Sequence, residues 1–368
     1  MYHINGAKIR KIREDLGLTQ GELAKSVGLS SEFISLLELG KRAPSLDSLS
    51  KIAGHLDKDI SYFIMEKEDV FNRLFQAETW NKKTVRLLKK FKRYCLDYTE
   101  LEELTGRHAH LAPLYTNISA ERMAEQERRR IGLGCEPIRD IFSLLELNGL
   151  HVWRHTVPAE SKIPGLFLFM DMRQSAFALV DSSLSYGHQA LIAAHEYSHY
   201  LRDRHDSPVV DNPDVFIDEY IDLYPGRERF AQTFAMHFLM PPEKIREVVE
   251  KDIRLKKLNF EDIVYLTLYF GVSTLAILRM LRTLDFVPQA RFKEYQKMTA
   301  KHQEEAFLNM YPGGIRMKIP SRQAVPSNRF ISLVLEAHKK RKITAERATG
   351  LLRISKDKMI RDTLRSSS

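Results

Sequence analysis

The stretch Leu191-Ile192-Ala193-Ala194-His195-Glu196-Tyr197-Ser198-His199-Tyr200 constrains this chain more than any other. On a helix, a spacing of four residues turns about 40° and rises ~6 Å, so His195 and His199 share one face. Two imidazoles so placed can chelate one Zn²⁺. Glu196 lies about 100° round from His195. Its carboxylate therefore stands beside such a metal, where it can take a proton from water whose pKa the metal lowers to roughly 7. The apolar residues before His195 predict a buried helix that excludes bulk water. Taken alone, the pattern fits a buried, hydrogen-bonded histidine pair equally well, so a third ligand has to decide.

Two candidates compete for that position. His205 has the spacing after His199 that metzincins use, but Arg202 stands where the chain would need a glycine to turn back. If the helix continues, His205 is carried about 240° round and ~9 Å along, away from the metal. Glu228 follows Pro225-Gly226 and opens the apolar segment ERFAQTFAMHFLMPP. Phe230, Ala231, Phe234 and Ala235 can hold such a helix against the first, the two alanines allowing close approach. His237 lies about 180° from Glu228 and faces elsewhere. Asp218, Glu219 and Asp222 are possible substitutes in a loop; Glu228 is the better candidate.

The run from His195-Glu196-x-x-His199 to Glu228-x-x-Ala231-Gln232-x-Phe234-Ala235-x-x-x-Leu239-Met240-Pro241 resembles the ImmA/IrrE family of metallopeptidases over residues 130–285. The Gly165 strand, the Ala178–Asp181 segment and Phe270-Gly271-Val272-Ser273 fit it too. Gln232 is a departure, since the family commonly has Asn there. The resemblance implies His195, His199 and Glu228 as metal ligands, Zn²⁺ as cofactor and Glu196 as catalytic base. It further implies a regulatory protease that cleaves a helix-turn-helix repressor, releasing stress, phage or mobile-element genes.

A second informative stretch is LTQGELAKSVGLSSEFISLLELGKRAPSLDSLSKIA. Thr19 can cap a helix from Gln20 to Val27 with Leu23, Ala24 and Val27 inward. Gly28 supplies the turn, and Ser30 caps a second helix with Ile34 and Leu37 inward. Two short helices across a glycine turn fit a DNA major groove, the second reading base edges. Leu18-Thr19-Gln20, Glu22-Leu23-Ala24, Val27-Gly28, Ile34-Ser35, Leu37-Glu38, Gly40-Lys41-Arg42 and Pro44-Ser45 make residues 5–65 similar to the XRE family. That resemblance implies DNA contact through Ser31, Glu32, Phe33 and Ser35, with Gln20, Lys41 and Arg42 near phosphates. The exposed face lacks the Gln, Asn and Arg best suited to bidentate base contacts. A domain kept for protein contact, such as homodimerisation, therefore stays open beside DNA binding.

The remaining sequence is that of a mainly α chain with a small β-sheet, an α+β fold. LHVWRHTV, IPGLFLFM and SAFALVDS read as three strands. Helices are expected near 185–203, 227–240, 242–256, 259–269, 273–284 and 329–364, with 286–328 loop-rich around Pro-Gly-Gly 312–314. The expected division is a five-helix repressor-like domain at 1–66, a charged helical linker at 67–129, a zincin-like peptidase at 130–285, and a loop-rich and helical region at 286–368. Lys82, Lys83, Arg86, Lys89, Lys90, Lys92 and Arg93 read as a solvated helix face or, less favourably, a DNA-backbone contact. The net charge of +9 permits a polyanionic partner without requiring one.

No apolar run approaches the roughly 20 residues of a membrane span, and the N-terminus lacks a signal-type stretch. With only Cys95 and Cys135, no disulfide framework is expected, and a reducing cytoplasm fits best. A Cys135 thiolate could block the open metal position as a redox switch, though a lone cysteine is more often inert. Tyr186, His188, Tyr200 and Tyr220 are candidates for stabilising an oxyanion, and nothing selects among them. A rival function is a transcriptional regulator with a structural or sensory zinc. A fourth protein ligand, such as His205 or Cys135, would favour that rival. A control element in which DNA binding is primary and cleavage is induced is a third option.

Overall fold

The computed structural model describes residues 3–4, 6–39, 42, 44–65, 70–76, 80–211, 226–253, 258–301 and 326–352. The chain divides into two compact units, Met1–Gln76 and Ala77–Ser368.

The first unit opens with a short strand, β1 (His3–Ile4), followed by α1 (Gly6–Asp15), α2 (Gln20–Val27), α3 (Ser31–Glu38), α4 (Leu46–His55) and α5 (Ile60–Phe63). Strand β2 (Ile64–Met65) pairs back antiparallel on β1, and α6 (Val70–Gln76) ends the unit. Three of the helix starts are written locally. Thr19 and Glu22 form a reciprocal capping box, Ser30 accepts from the Phe33 amide, and Ser45 accepts from the Ser48 amide. Gly28 closes α2 at φ 69°, a left-handed position that a side chain would strain. The inward stripe of Ile9, Leu23, Ile34, Leu37, Leu49, Ile52 and Phe63 forms one apolar core. Gly6 lets α1 start against the end of α3, because a Cβ there would lie 2.1 Å from the Leu37 carbonyl oxygen.

The second unit is layered around a mixed four-stranded sheet. In chain order it contains α7 (Lys82–Thr105), α8 (Ala120–Arg130), α9 (Ile141–Leu147), β3 (Leu150–His155), β4 (Gly165–Met170), β5 (Ser175–Asp181), α10 (Tyr186–Arg202) and β6 (Val209–Val210). After these come α11 (Gly226–Leu239), α12 (Pro242–Val248) running into a π-helical turn at Val249–Ile253, α13 (Phe260–Phe270), α14 (Thr274–Thr283), α15 (Gln289–Lys301), α16 (Asn328–Lys339) and α17 (Ala345–Leu352). The sheet order is β3-β5-β4-β6, with β3 parallel to β5 and the other pairs antiparallel. Both faces are covered, which explains why β4 and β5 read as nearly unbroken apolar runs.

Side chains alternate across the pleat. Val152, Phe167, Phe169, Ala176, Ala178 and Val180 join the core around α10, and the two alanines let that helix lie close. On the opposite face α7 lays aromatics on the sheet. Phe91 and Tyr94 stack on Trp153, and the Tyr98 ring lies 3.9 Å from that of His151. Residues 82–130, expected as part of a charged linker, are thus integral to this unit: Leu87, Leu88 and Phe91 are buried, and Met123 and Ala124 join the main core. The basic residues of α7 lie on its outer face, with all but the half-buried Lys92 exposed.

Three expectations change on contact with the structure. A fourth strand, β6, joins the sheet. The segment after Pro288, expected as loop-rich, forms α15, which buries Phe292 and Tyr295 one turn apart. The expected helix at 242–256 is α12 and its π turn, with 254–257 outside the described residues. Pro-Gly-Gly 312–314 and the tail after 352 lie outside them as well.

Candidate metal centre

Ser185 caps α10 and the helix runs unbroken to Arg202, so His195 and His199 project from successive turns into the core. Both imidazoles are fully buried, and their Nε2 atoms are 3.2 Å apart. Glu228, in the first turn of α11, brings Oε2 to 3.2 Å from His195 Nε2 and 3.8 Å from His199 Nε2. The small, buried Ala231 and Ala235 lie behind it on the same helix. Asp211, just past β6, places Oδ1 3.6 Å from His195 Nε2. One atom from each of these four residues falls within 4.8 Å of all the others.

The spacing can be compared with what a metal requires. Tetrahedral zinc with bonds of about 2.1 Å separates its ligand atoms by about 3.4 Å. The four measured separations scatter closely around that value. His199 Nδ1 faces Asp203 Oδ2 at 3.3 Å, a backing carboxylate that would leave Nε2 as the nitrogen available to a metal. Although burial disfavours a charged His199, hydrogen bonds to Asp203 and Glu228 raise its pKa to about 9. Burial also works against Glu228 ionising, but His195 and His199 hold it well below the usual carboxylate range.

Glu196 is fully buried beside this cluster. Burial, then the charge of Asp211, push its carboxyl well above the ordinary range. Beyond each other, neither its oxygens nor those of Asp211 have a hydrogen-bond partner among the described residues. The backbone makes room for the pair at Gly165 of β4. A Cβ there would lie 2.2 Å from Glu196 Oε1, 2.6 Å from Ile192 Cγ2 and 2.7 Å from Asp211 Oδ2. Orphaned buried carboxylates beside two imidazoles fit a divalent cation, because only a cation or protons can offset so many acids in so little water.

The structure therefore brings together His195, His199 and Glu228, with Glu196 adjacent. It does not add His205, which is exposed and bonds Asp171 at 2.9 Å, nor Cys135, which is exposed and outside the cluster. Arg202 stacks over Phe230 at 4.0 Å, tying the end of α10 to the start of α11. Among the oxyanion candidates, the Tyr200 hydroxyl accepts from the Ala112 amide, Tyr186 packs edge-on against Phe142, and His188 bonds Ser185. Tyr220 lies outside the described residues, as do Asp218, Glu219 and Asp222. Two members were missed in the sequence. Asp203 was findable, standing one turn beyond His199; Asp211 follows a two-residue strand and had no spacing signal.

In the first unit, Ser31 and Glu32 of α3 are exposed, while Ser35 and Phe33 are half-buried. The Arg42 guanidinium lies 4.8 Å from the Phe33 ring centroid. Gln20 donates to Glu38 Oε2 at 2.8 Å, so its amide is engaged in the fold. Lys41 lies outside the described residues.

Two family profiles match the chain: a helix-turn-helix profile at residues 9–63, and that of the IrrE N-terminal-like domain at residues 166–282. An uncharacterised HTH-type transcriptional regulator of Archaeoglobus fulgidus is 42% identical over 67 residues, covering 18% of this chain and 96% of its own length. A protein of Methanocaldococcus jannaschii, named as an unproven HTH-type transcriptional regulatory protein, is 28% identical over 152 residues. That match covers 39% of this chain and 46% of the relative, so the chain spans about half the relative's length. The ImmF control region 10 kDa protein of Bacillus phage phi105 is 35% identical over 65 residues, covering 18% of this chain and 72% of its own. Among the described residues no single helix is long and apolar enough to cross a membrane.

Proposed function

Because this chain belongs to the XRE-type helix-turn-helix proteins that carry an ImmA/IrrE-type peptidase domain, we propose that it is a zinc-dependent regulatory endopeptidase of the cytoplasm, acting on a helix-turn-helix repressor. One observation carries this reading: three side chains from two helices converge at tetrahedral spacing with a buried glutamate alongside. His195, His199 and Glu228 would hold the ion. Bound there, Zn²⁺ supplies a Lewis acid and lowers the pKa of water toward neutrality. Glu196 accepts a proton from the attacking water as its oxygen bonds to the scissile carbonyl carbon. It then returns that proton to the amine nitrogen as the carbon–nitrogen bond breaks. The apolar walls of β4, α10 and α11 exclude competing water.

The N-terminal unit would deliver this activity to DNA, binding as a homodimer through Ser31, Glu32, Phe33 and Ser35, with Gln20, Lys41 and Arg42 toward phosphates. Cleavage of the repressor would release stress, phage-defence or mobile-element genes from repression. The decisive variant is Glu196→Gln. We expect cleavage of a co-expressed neighbouring repressor to fall by about 10²–10⁴, with bound zinc, measured by metal analysis of the purified chain, unchanged. Full cleavage in that variant would remove Glu196 from the mechanism.

One observation favours a second reading, a DNA-binding regulator with a structural or sensory zinc. Asp211 is a fourth potential ligand within reach of the same cluster.

A further inference from the structure

The three-ligand site leaves Asp211 without a task, yet it is only 3% exposed and, beyond Glu196, its carboxylate has no hydrogen-bond partner among the described residues. Its Oδ1 lies 3.6 Å from His195 Nε2, a little farther than Glu228 Oε2 at 3.2 Å from the same atom. That is the separation of two atoms bound to one metal, about 3.4 Å for a tetrahedral ion. The second oxygen, Oδ2, lies at the Gly165 backbone, where Glu196 Oε1 also lies. Asp211 thus reaches both the ligand cluster and the side of Glu196, where an attacking water would have to stand.

The way Asp211 is delivered matters as much. Strand β6 pairs with β4 through Leu166↔Val210 and Phe167↔Val209, and the Asp211 amide donates to the Gly165 carbonyl at 3.3 Å. The opposite edge of β4 is taken by β5. An extended peptide binds a sheet by adding a strand to an open edge, its main chain supplying the hydrogen bonds. Residues 209–211 already fill the edge of β4 nearest Glu196. They hold it with a pairing far shorter than the six-residue register between β4 and β5.

We propose that Asp211 is the fourth metal ligand of the resting protein, and that residues 209–211 keep the peptidase latent by occupying both the open coordination position and the substrate edge of β4. Departure of this segment frees the edge for an extended substrate and the space beside Glu196 for water. The latency rests on the peptidase reading of the same cluster; the ligand assignment stands without it.

The test uses the full chain loaded with Co²⁺ and titrated with azide, read by visible absorption. The wild-type spectrum should not move, because four protein ligands leave azide no position. Asp211→Ala should shift saturably, and its Zn²⁺ affinity should fall at least about tenfold. Asp211→Asn, which keeps the side chain's size, should respond to azide in the same sense and guards against a folding defect in the alanine variant. A wild type that binds azide as readily as both variants, or unchanged zinc affinity, would overturn the ligand assignment. With unfolded casein as probe, Asp211→Ala should cleave faster than wild type. Glu196-dependent cleavage in the wild type that Asp211→Ala does not exceed would overturn the latency. Failure of the peptidase reading looks different: wild type and Glu196→Gln are equally inert, while the azide contrast persists.

Discussion

In the N-terminal unit a buried arginine meets a buried glutamate, whereas around His195 and His199 in the second unit the acids outnumber the groups that could neutralise them. Arg13 Nε and Nη2 donate to the two Glu38 oxygens at 2.6 and 3.0 Å, a bidentate pair between α1 and α3. Arg13 Nη1 donates to the Leu18 carbonyl and Gln20 adds a further donor to Glu38. The buried charges of Arg13 and Glu38 thus answer each other inside the fold. Around His195 and His199 stand Glu196, Asp211 and Glu228, and two of these acids lack any hydrogen-bond partner but each other among the described residues. A balanced network locks three helices and needs nothing more. An unbalanced one is stable only with a cation or added protons, which makes it a site.

The contrast breaks most sharply on the balanced side. Glu38→Ala strands a buried guanidinium, and removing one partner of such a pair costs about 3–5 kcal/mol. Denaturant unfolding of the first unit should show that loss, while zinc affinity stays at the wild-type value. An equal loss in both units would mean that the two constellations are not independent.

Removing the metal is the mirror test. A ligand that binds only the folded state, present at 100 times its Kd, stabilises by about 2.7 kcal/mol. Chelation should therefore lower the thermal midpoint of the second unit and abolish cleavage, leaving the first unit's transition in place. A second unit whose midpoint ignores both chelator and added zinc would show that its buried acids are neutralised by protons alone.

The two regions also differ in how much of them could be read beforehand. The repressor-like helices carry their instructions locally, in Thr19 with Glu22, Gly28, Ser30 and Ser45, so their limits follow from short windows. His195, Glu196 and His199 share one helix and are equally legible. Glu228 needed an argument across an interruption in the chain, and the alanines at 231 and 235 supplied it. Asp211 could not be read. It depends on a two-residue strand finding β4 more than forty residues back, and two residues carry no periodicity. Helix α7 was legible as a helix but misjudged in its setting. Its outer lysines and arginines dominate the sequence there, although the stripe Leu87, Leu88, Phe91, Tyr94 and Tyr98 seats it on the sheet. Helix α15 was lost for a related reason, since only Phe292 and Tyr295 anchor it beneath polar neighbours.

The smallest effect probes the boundary between lock and site. Asp203 touches no candidate metal position; it faces His199 Nδ1 at 3.3 Å and is itself only partly buried. If its task were structural, as Glu38's is, Asp203→Asn would lower stability with or without zinc. If it orients and polarises a ligand, the loss should appear as metal affinity, about tenfold or ~1.4 kcal/mol, with the metal-free protein melting as before. Competition against a chromophoric chelator measures the first quantity and calorimetry of the zinc-free chain the second. A variant that melts lower without zinc yet binds it as tightly as wild type would move Asp203 from the site to the scaffold. The unbalanced cluster would then end at His199.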